Sequence, residues 1–176
     1  MGPQAHFGNR SKCGVTRIAK ACSLPTRPVN IPLVNIWSEE WDEDQPEGRR
    51  RRVLGGETLG ATLYELSRGG GIAYHFHHGT EELLVVLRGR LTLRTPDGTR
   101  DVGTGELVHF PVGPAGTHAI TNDCDEPVRY LMISTLRSPN VTEYPDTRQL
   151  AVTAATKNQF GEELHETWNL DEPYAG

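Results

Sequence analysis

The amino-acid sequence predicts an all-β fold, a sandwich or barrel of jelly-roll type with irregular N-terminal and C-terminal extensions. Between Val53 and Leu136, short apolar segments are separated by glycine, proline and Asp-Gly, and none keeps a helical period over three turns. The 176 residues include 19 glycines and 12 prolines, so many positions suit tight turns. Closely spaced short strands of this kind are typical of jelly rolls.

Apolar character and alternation mark the individual strands. Leu91 and Leu93 alternate with Thr92 and Arg94, as expected of a half-buried strand. The turn Pro96-Asp97-Gly98 follows and predicts a hairpin, because glycine tolerates the positive φ that such turns need. The predicted strands, in chain order, are Leu59–Leu66, Ile72–His77, Glu82–Leu87, Arg90–Thr95, Thr99–Val102, Glu106–Phe110, His118–Thr121 and Val128–Leu136.

Composition divides the chain into three parts. Residues 1–30 are polar and basic and are expected to form a flexible tail. Residues 31–138 are expected to form the barrel domain, beginning with an edge strand over Ile31–Ile36. Residues 139–176 lose the strand rhythm, and we expect this extension, with a short helix around Gly161–Trp168, to pack on the barrel or on a partner subunit.

Charge and cysteine content argue against several classes of partner. The net charge is −5, and the run Arg49–Arg52 follows six acidic residues, which favours a solvated charge cluster over a nucleic-acid patch. Three cysteines at no metal-type spacing predict neither a disulfide framework nor an oxidising compartment, so a cytoplasmic location is expected. The longest unbroken apolar run, Leu83–Leu87, is too short to cross a bilayer, so no membrane partner is expected.

Two histidines and a carboxylate indicate a metal site. His75 and His77 lie two residues apart in a predicted strand, so both side chains point to the same face. The next strand begins at Glu82, whose carboxylate can face them across the strand pair. Nitrogen and oxygen donors of this kind suit one divalent ion such as Fe, Mn, Zn or Ni. The alternative is a pair of hydrogen-bonded core histidines without a metal.

Two segments resemble the conserved motifs of the cupin superfamily. Gly69–Gly89 is similar to the first motif, G-x5-H-x-H-x3,4-E-x6-G, with every motif position filled. Gly105–Asn122 is similar to the second motif, G-x5-P-x-G-x2-H-x3-N. The resemblance, closest to small single-domain bacterial cupins, implies a double-stranded β-helix. It also implies a single divalent metal held by four ligands: His75, His77, Glu82 and His118.

The second motif departs from the family pattern in one place. Four residues rather than two separate Gly113 from His118, so the turn before the last ligand is longer. With this longer turn, Gly116 rather than Gly113 is expected to be the glycine at which the backbone approaches a neighbouring segment of the chain closely. The spacing from His118 to Asn122 matches the family pattern.

Several neighbouring residues leave alternatives open. Either Glu81 or Glu82 could face the histidines, and the motif spacing together with strand alternation selects Glu82. His109 shares its strand face with Leu107 and is either a pocket acid or base or a tolerated polar position. Tyr130, a candidate for the barrel lining, is the second candidate catalytic residue.

The resemblance implies a function class but no substrate. We expect a metal-dependent protein, an enzyme acting on a small organic molecule, with oxygenase-type chemistry favoured and isomerase or cyclase chemistry next. The alternative is a non-catalytic cupin that binds a metal or a small molecule. Because both faces of Glu82–Leu87 are apolar, one face fills the barrel and the other needs a cover, which predicts a homodimer.

Overall fold

The alternating segments in the middle of the chain form antiparallel strands. A computed structural model describes residues 33–154, 156–157, 161–162 and 164–171. Within these residues the strands are β1 (Glu43–Gln45), β2 (Gly48–Gly55), β3 (Leu59–Leu66), β4 (Gly71–His77), β5 (Glu82–Arg88), β6 (Arg90–Thr95), β7 (Gly98–Gly103), β8 (Leu107–Phe110), β9 (His118–Thr121), β10 (Val128–Thr135), β11 (Asn140–Tyr144), β12 (Gln149–Thr153) and β13 (His165–Asn169). A single 3₁₀ turn, Pro114–Gly116, precedes β9.

The strands form two sheets. The six-stranded sheet has the order β1-β2-β3-β10-β5-β8, and the seven-stranded sheet has the order β13-β12-β11-β4-β9-β6-β7. Strands that are distant in sequence are neighbours, such as β10 between β3 and β5 and β9 between β4 and β6. This interleaving of remote strands is the arrangement of a jelly roll, and the predicted all-β fold class is confirmed.

The core lies between the two sheets because each strand buries alternate side chains. In β5, Leu84 and Val86 are buried, whereas Leu83 and Val85 on the opposite face are only half-buried. In β6 of the other sheet, Leu91 is buried in the same way. Side chains from both sheets therefore share one core cluster, which comprises Leu66, Leu84, Val86, Leu91, Leu93, Val102, Phe110, Ile120, Val128, Tyr130 and Met132.

All eight strands predicted between Leu59 and Leu136 are present, with ends that differ by a residue or less. Three local predictions are wrong. The strand rhythm does not end before residue 139, because β11 and β12 form over Asn140–Tyr144 and Gln149–Thr153. Residues 33–36 form no strand, although an edge strand was expected over Ile31–Ile36, whose first two residues lie outside the described part. The expected helix around Gly161–Trp168 is also absent among the described residues, because His165–Asn169 pairs with β12 as strand β13.

The C-terminal segment extends the seven-stranded sheet. Strand β11 pairs with β4, placing Thr142 opposite His77, and β12 and β13 follow in order. The basic segment 1–30 lies outside the described residues. Among the residues that are described, no helix has the length and apolar character needed to cross a membrane.

The arginine run Arg49–Arg52 lies in β2, and three of its members pair with acids as the charge pattern predicts. Arg49 contacts Glu39 and Asp44, Arg50 contacts Glu43, and Arg51 contacts Glu40. Arg49 also donates to Glu65 of β3. Glu65 is the centre of a group of charged side chains that we call the Glu65 cluster. Its members are Glu39, Arg49, Glu65, Arg88 and Arg129.

Candidate metal centre

The two histidines of β4 come together with His118 of β9. β4 and β9 are adjacent, and His75 lies directly opposite His118 in their register. The ring centroids of His75 and His118 are 4.6 Å apart, and those of His75 and His77 are 5.0 Å apart. Strand pairing thus places three imidazoles, one of them 43 positions from the first along the chain, at one point of the seven-stranded sheet.

Each imidazole is held through its Nδ1 atom. His75 Nδ1 lies 2.7 Å from the carbonyl oxygen of Ala73, and His118 Nδ1 lies 2.9 Å from that of Gly116. A carbonyl only accepts, so these two Nδ1 atoms carry the proton, and a neutral ring then has its lone pair on Nε2. His77 Nδ1 contacts the hydroxyl of Thr142 at 3.0 Å. Partners of this kind orient histidine ligands at metal sites.

Glu82 reaches the histidines from the opposite sheet. Its Oε2 atom lies 3.3 Å from His77 Nε2 and 3.5 Å from His118 Nε2. Its Oε1 atom accepts a hydrogen bond of 2.9 Å from the hydroxyl of Ser134, which lies directly opposite on β10. Ligand atoms of His75, His77 and Glu82 all lie within 4.8 Å of one another, which fits a shared metal ion.

Burial sets the protonation of these groups. Desolvation lowers the pKa of His118 to about 4, although the Gly116 carbonyl opposes this. Desolvation likewise lowers the pKa of His75. Burial alone would raise the pKa of Glu82, but His77, His118 and Ser134 outweigh it and lower this pKa. At neutral pH His75 and His118 are therefore neutral imidazoles and Glu82 is a carboxylate, the forms that bind metal ions.

Two buried atoms at the centre of the site have no hydrogen-bond partner among the described residues, namely Glu82 Oε2 and His118 Nε2. Both atoms carry lone pairs, and they face each other at 3.5 Å. Two lone pairs at this distance repel each other unless a cation lies between the two atoms. The donor set is nitrogen and oxygen with no thiolate, which suits Fe, Mn, Zn or Ni. The residues therefore fit a divalent metal ion.

The turn before His118 has the geometry that the longer spacing predicts. Gly116 is buried, and a Cβ atom added there would lie 1.8 Å from the carbonyl oxygen of Pro111. Only glycine allows this close approach, so Gly116 is the close-approach turn that the sequence indicates. Phe110 stacks on the His118 ring at 3.7 Å between centroids and holds its plane.

A cavity of about 660 Å³ opens onto the site through His77 and Glu82. Its wall also includes the aromatic side chain of Tyr64 and several polar side chains, among them Thr80, Ser134 and Asn140. A small organic molecule fits a space of this volume, and the polar groups can receive its hydroxyl or carbonyl groups.

Residues 62–134 match the family model of the cupin domain, and all four expected ligands lie within this span. The chain therefore contains a cupin domain over residues 62–134. No curated protein matches it.

Solved structures share the fold of this cupin. A sugar phosphate isomerase of the cupin superfamily from Silicibacter pomeroyi is 22% identical, with a TM-score of 0.62 over 71% of this chain and 78% of the other. A provisionally assigned sugar phosphate isomerase from Acidithiobacillus ferrooxidans is 25% identical, with a TM-score of 0.59 over 73% and 81%. An uncharacterised double-stranded β-helix protein from Klebsiella pneumoniae is 17% identical, with a TM-score of 0.51 over 58% and 88%.

The cupin fold brings some predicted residues to the site and leaves others outside. Glu82 rather than Glu81 faces the histidines, and Glu81 is exposed, 4.0 Å from His109. The side chain of His109 is 55% exposed on the outer face and lines a separate cavity beside the Pro96–Arg100 turn. His109 is therefore not brought to the metal site.

Tyr130 lies in the interior but does not form part of the cavity wall. It is fully buried and stacks on Tyr64 with 5.0 Å between ring centroids. Burial raises the pKa of Tyr130 well above its usual value, so its hydroxyl stays protonated. Tyr64, on the same stack, does line the cavity and is the tyrosine that a bound molecule can contact.

Sequence reasoning missed the residues that support the ligands. Ser134, Thr142 and Phe110 contact Glu82, His77 and His118, respectively. Ser134 and Thr142 reach the site only through pairing of strands that are remote in sequence, β10 with β5 and β11 with β4. The motif residue Asn122 has a structural role, because its side-chain amide donates to the carbonyl oxygens of Leu66 and Glu126.

Proposed function

We propose that this cupin is a metal-dependent enzyme that acts on a small organic molecule. His75, His77, Glu82 and His118 would hold one divalent ion at the base of the cavity. The observation that carries this proposal is the convergence of unpartnered donors, Glu82 Oε2 and His118 Nε2, beside a cavity of about 660 Å³. Metal-ligand atoms that lack hydrogen-bond partners and lie at the end of a polar cavity support a site that binds a metal ion next to a substrate.

The residues around the site support isomerase-type over oxygenase-type chemistry. A divalent ion held by these residues would supply Lewis-acid chemistry towards a substrate carbonyl. Tyr64, Thr80, Ser134 and Asn140 offer hydroxyl and amide groups that can orient a hydroxylated molecule. The 25% identity to a provisionally assigned sugar phosphate isomerase agrees with this polar lining.

The decisive measurement is the metal content of the untagged protein by inductively coupled plasma mass spectrometry. We expect close to one divalent ion per chain in the parent. His77→Ala and Glu82→Ala should each lose it, because each removes a donor that no described neighbour replaces.

Two matched variants serve as controls. His78→Ala and Glu81→Ala change the same residue types one position away, at side chains that are 45% and 54% exposed and contact other groups. Both should retain the parent's metal content. A parent that takes up no Fe(II), Mn(II), Ni(II) or Zn(II) on reconstitution would refute the metal-dependent enzyme and favour a cupin that only binds a small molecule.

We also propose that the cupin forms a homodimer through the outer face of the six-stranded sheet. Leu107 is 58% exposed there, and its neighbours across the strands are the half-buried Val85 and Leu131. An apolar row of this kind on a sheet face suits a second copy of the same face. Light scattering after size exclusion should give about twice the 19.5 kDa chain mass, and Leu107→Asp should return it to one chain. A parent mass of one chain would exclude the dimer.

A further inference from the structure

Two arginines at the cavity mouth point to the charge of the substrate, an inference that rests on the proposed function. Arg52, near the end of β2, and Arg137, just after β10, both line the cavity that reaches His77 and Glu82. Both side chains are exposed, so their guanidinium groups are available to a molecule entering from solvent.

These two arginines differ from most others in the described chain. Of the twelve arginines that the structure describes, nine have a carboxylate within 4.0 Å, namely Arg49, Arg50, Arg51, Arg68, Arg88, Arg90, Arg94, Arg129 and Arg148. In the described residues, only Arg52, Arg100 and Arg137 have no carboxylate partner. Two of these three therefore line the same cavity as the expected ligands His77 and Glu82.

The position of Arg52 is fixed by its strand. Its backbone N–H donates to Asp42 Oδ2 at 2.7 Å, and its partner in the register of β3 is Thr62, which in turn lies opposite Met132 of the core face. Alternation along β2 therefore directs Arg52 to the concave side of the sheet, whereas Arg51 is directed to the outer side. The strand presents one unpaired guanidinium to the cavity.

The rest of the rim is polar. Thr80, Ser134 and Asn140 supply hydroxyl and amide groups, and the carboxylate of Glu57 also lies on the cavity wall. An uncharged apolar substrate would leave all these groups without partners, which is unfavourable. Guanidinium groups match phosphate and carboxylate oxygens through paired hydrogen bonds, so an oxyanion is the substrate group that this rim can best hold.

We propose that the cavity binds a small hydroxylated molecule carrying a terminal oxyanion, a phosphate ester or a carboxylate. Arg52 and Arg137 hold the oxyanion at the mouth. The hydroxylated remainder extends towards His77 and Glu82, where the reaction takes place. The two arginines thus select for charge and set which carbon of the substrate reaches the metal centre.

The test is calorimetric binding of three probes to the metal-reconstituted protein and to the metal-free protein: glucose 6-phosphate, gluconate and glucose. At least one anionic probe should bind the parent more tightly than glucose. Arg52→Gln and Arg137→Gln should each weaken that binding by about tenfold, since each removes a charged hydrogen-bond donor. Comparison of the two anions tells a phosphate ester from a carboxylate.

Two further variants sharpen the result. Arg100→Gln removes the third unpaired arginine, which lies outside this cavity, and should leave the affinity for the anion unchanged. Glu57→Gln removes the negative charge from the rim and should strengthen binding of the anion. Equal binding of glucose and both anions, or an effect of Arg100→Gln as large as that of Arg52→Gln, would overturn the proposal.

Failure of this inference is distinguishable from failure of the proposed function. Arg52→Gln and Arg137→Gln leave the metal ligands intact and should contain as much metal as the parent. If the parent binds metal but the arginine variants bind the anion as well as the parent does, only the oxyanion site is refuted. If the parent binds no metal, the proposed enzyme fails, while the metal-free titrations still decide whether the arginines hold an anion.

Discussion

Replacing Gly116 by alanine is expected to lower the unfolding free energy of the protein by about 3 kcal/mol, the upper end of the usual cost of overpacking. The new methyl group would lie 1.8 Å from the Pro111 carbonyl oxygen, so the turn has to move. The same turn holds the carbonyl that accepts the His118 Nδ1 proton at 2.9 Å. We therefore expect loss of bound metal as well as a lower midpoint in urea denaturation.

Gly103→Ala is the matched control for this substitution. A Cβ atom there meets nothing closer than Glu106 Oε2 at 3.6 Å, an ordinary contact. Its cost should stay below about 1 kcal/mol. Equal denaturation midpoints for the two alanine variants would show that the Pro111–Gly116 turn yields without cost, contrary to the close-approach argument.

The second large effect is expected from Glu65→Gln in the Glu65 cluster. The Glu65 carboxylate accepts from Arg49 Nη2 at 2.6 Å, Arg129 Nε at 2.7 Å and Arg88 Nη2 at 2.7 Å. Glu65 is 4% exposed and Arg129 is 1% exposed. Removing the carboxylate charge leaves a buried guanidinium with weaker compensation, which costs about 3–5 kcal/mol for pairs of this kind.

Glu43→Gln provides the matched comparison. Glu43 also pairs with an arginine, Arg50, but both side chains are about half exposed, so this substitution should cost less than about 1 kcal/mol. Unfolding free energies from urea titration at neutral pH measure the difference. If Glu65→Gln lowers the unfolding free energy no more than Glu43→Gln does, burial does not strengthen the ion pairs of the Glu65 cluster.

The pH dependence of the Glu65 effect follows from its protonation. Burial alone would raise the pKa of Glu65, but the hydrogen bonds and charges of Arg49 and Arg129 outweigh it and bring this pKa below the unfolded value of 4.5. The stabilisation by the ionised carboxylate is therefore complete above pH 4.5 and decreases as the pH falls through the folded-state pKa. The difference in unfolding free energy between the parent and Glu65→Gln should therefore decrease as the pH falls from 4.5 through the folded-state pKa.

Much of the barrel was predictable because alternation within a strand is local information. The pattern of Leu91 and Leu93 against Thr92 and Arg94 appears directly as buried and exposed faces of β6. The spacing of His75, His77 and Glu82 is also local, and the structure places these side chains together. Contacts that depend on the pairing of remote strands, such as Ser134 with Glu82, have no local signal.

Alternation alone does not say which face of a strand is buried. In β8, His109 shares a face with Leu107, and an apolar neighbour made an interior position for His109 as reasonable as an exposed one. The structure buries the other face, through Phe110, and leaves Leu107 and His109 exposed. The choice depends on the register with β5, which places Val108 opposite the buried Leu84 and His109 opposite the half-buried Leu83.

The missed strands have a related cause. β2 contains four consecutive arginines, a pattern typical of a solvent-exposed irregular segment. It is a strand because its backbone pairs with β1 and β3. Leu164, just before β13, and Trp168, within it, lie four residues apart, a spacing that also fits a helix. Pairing with β12 determines the strand instead.

The expected ligands are divided between the two layers of the sandwich. His75, His77 and His118 belong to the seven-stranded sheet, and Glu82 belongs to the six-stranded sheet. An ion bound by all four would be a cross-link between layers that are otherwise joined there by side-chain packing. Metal binding would then oppose separation of the sheets. One ion would therefore contribute both to the reaction and to the stability of the fold.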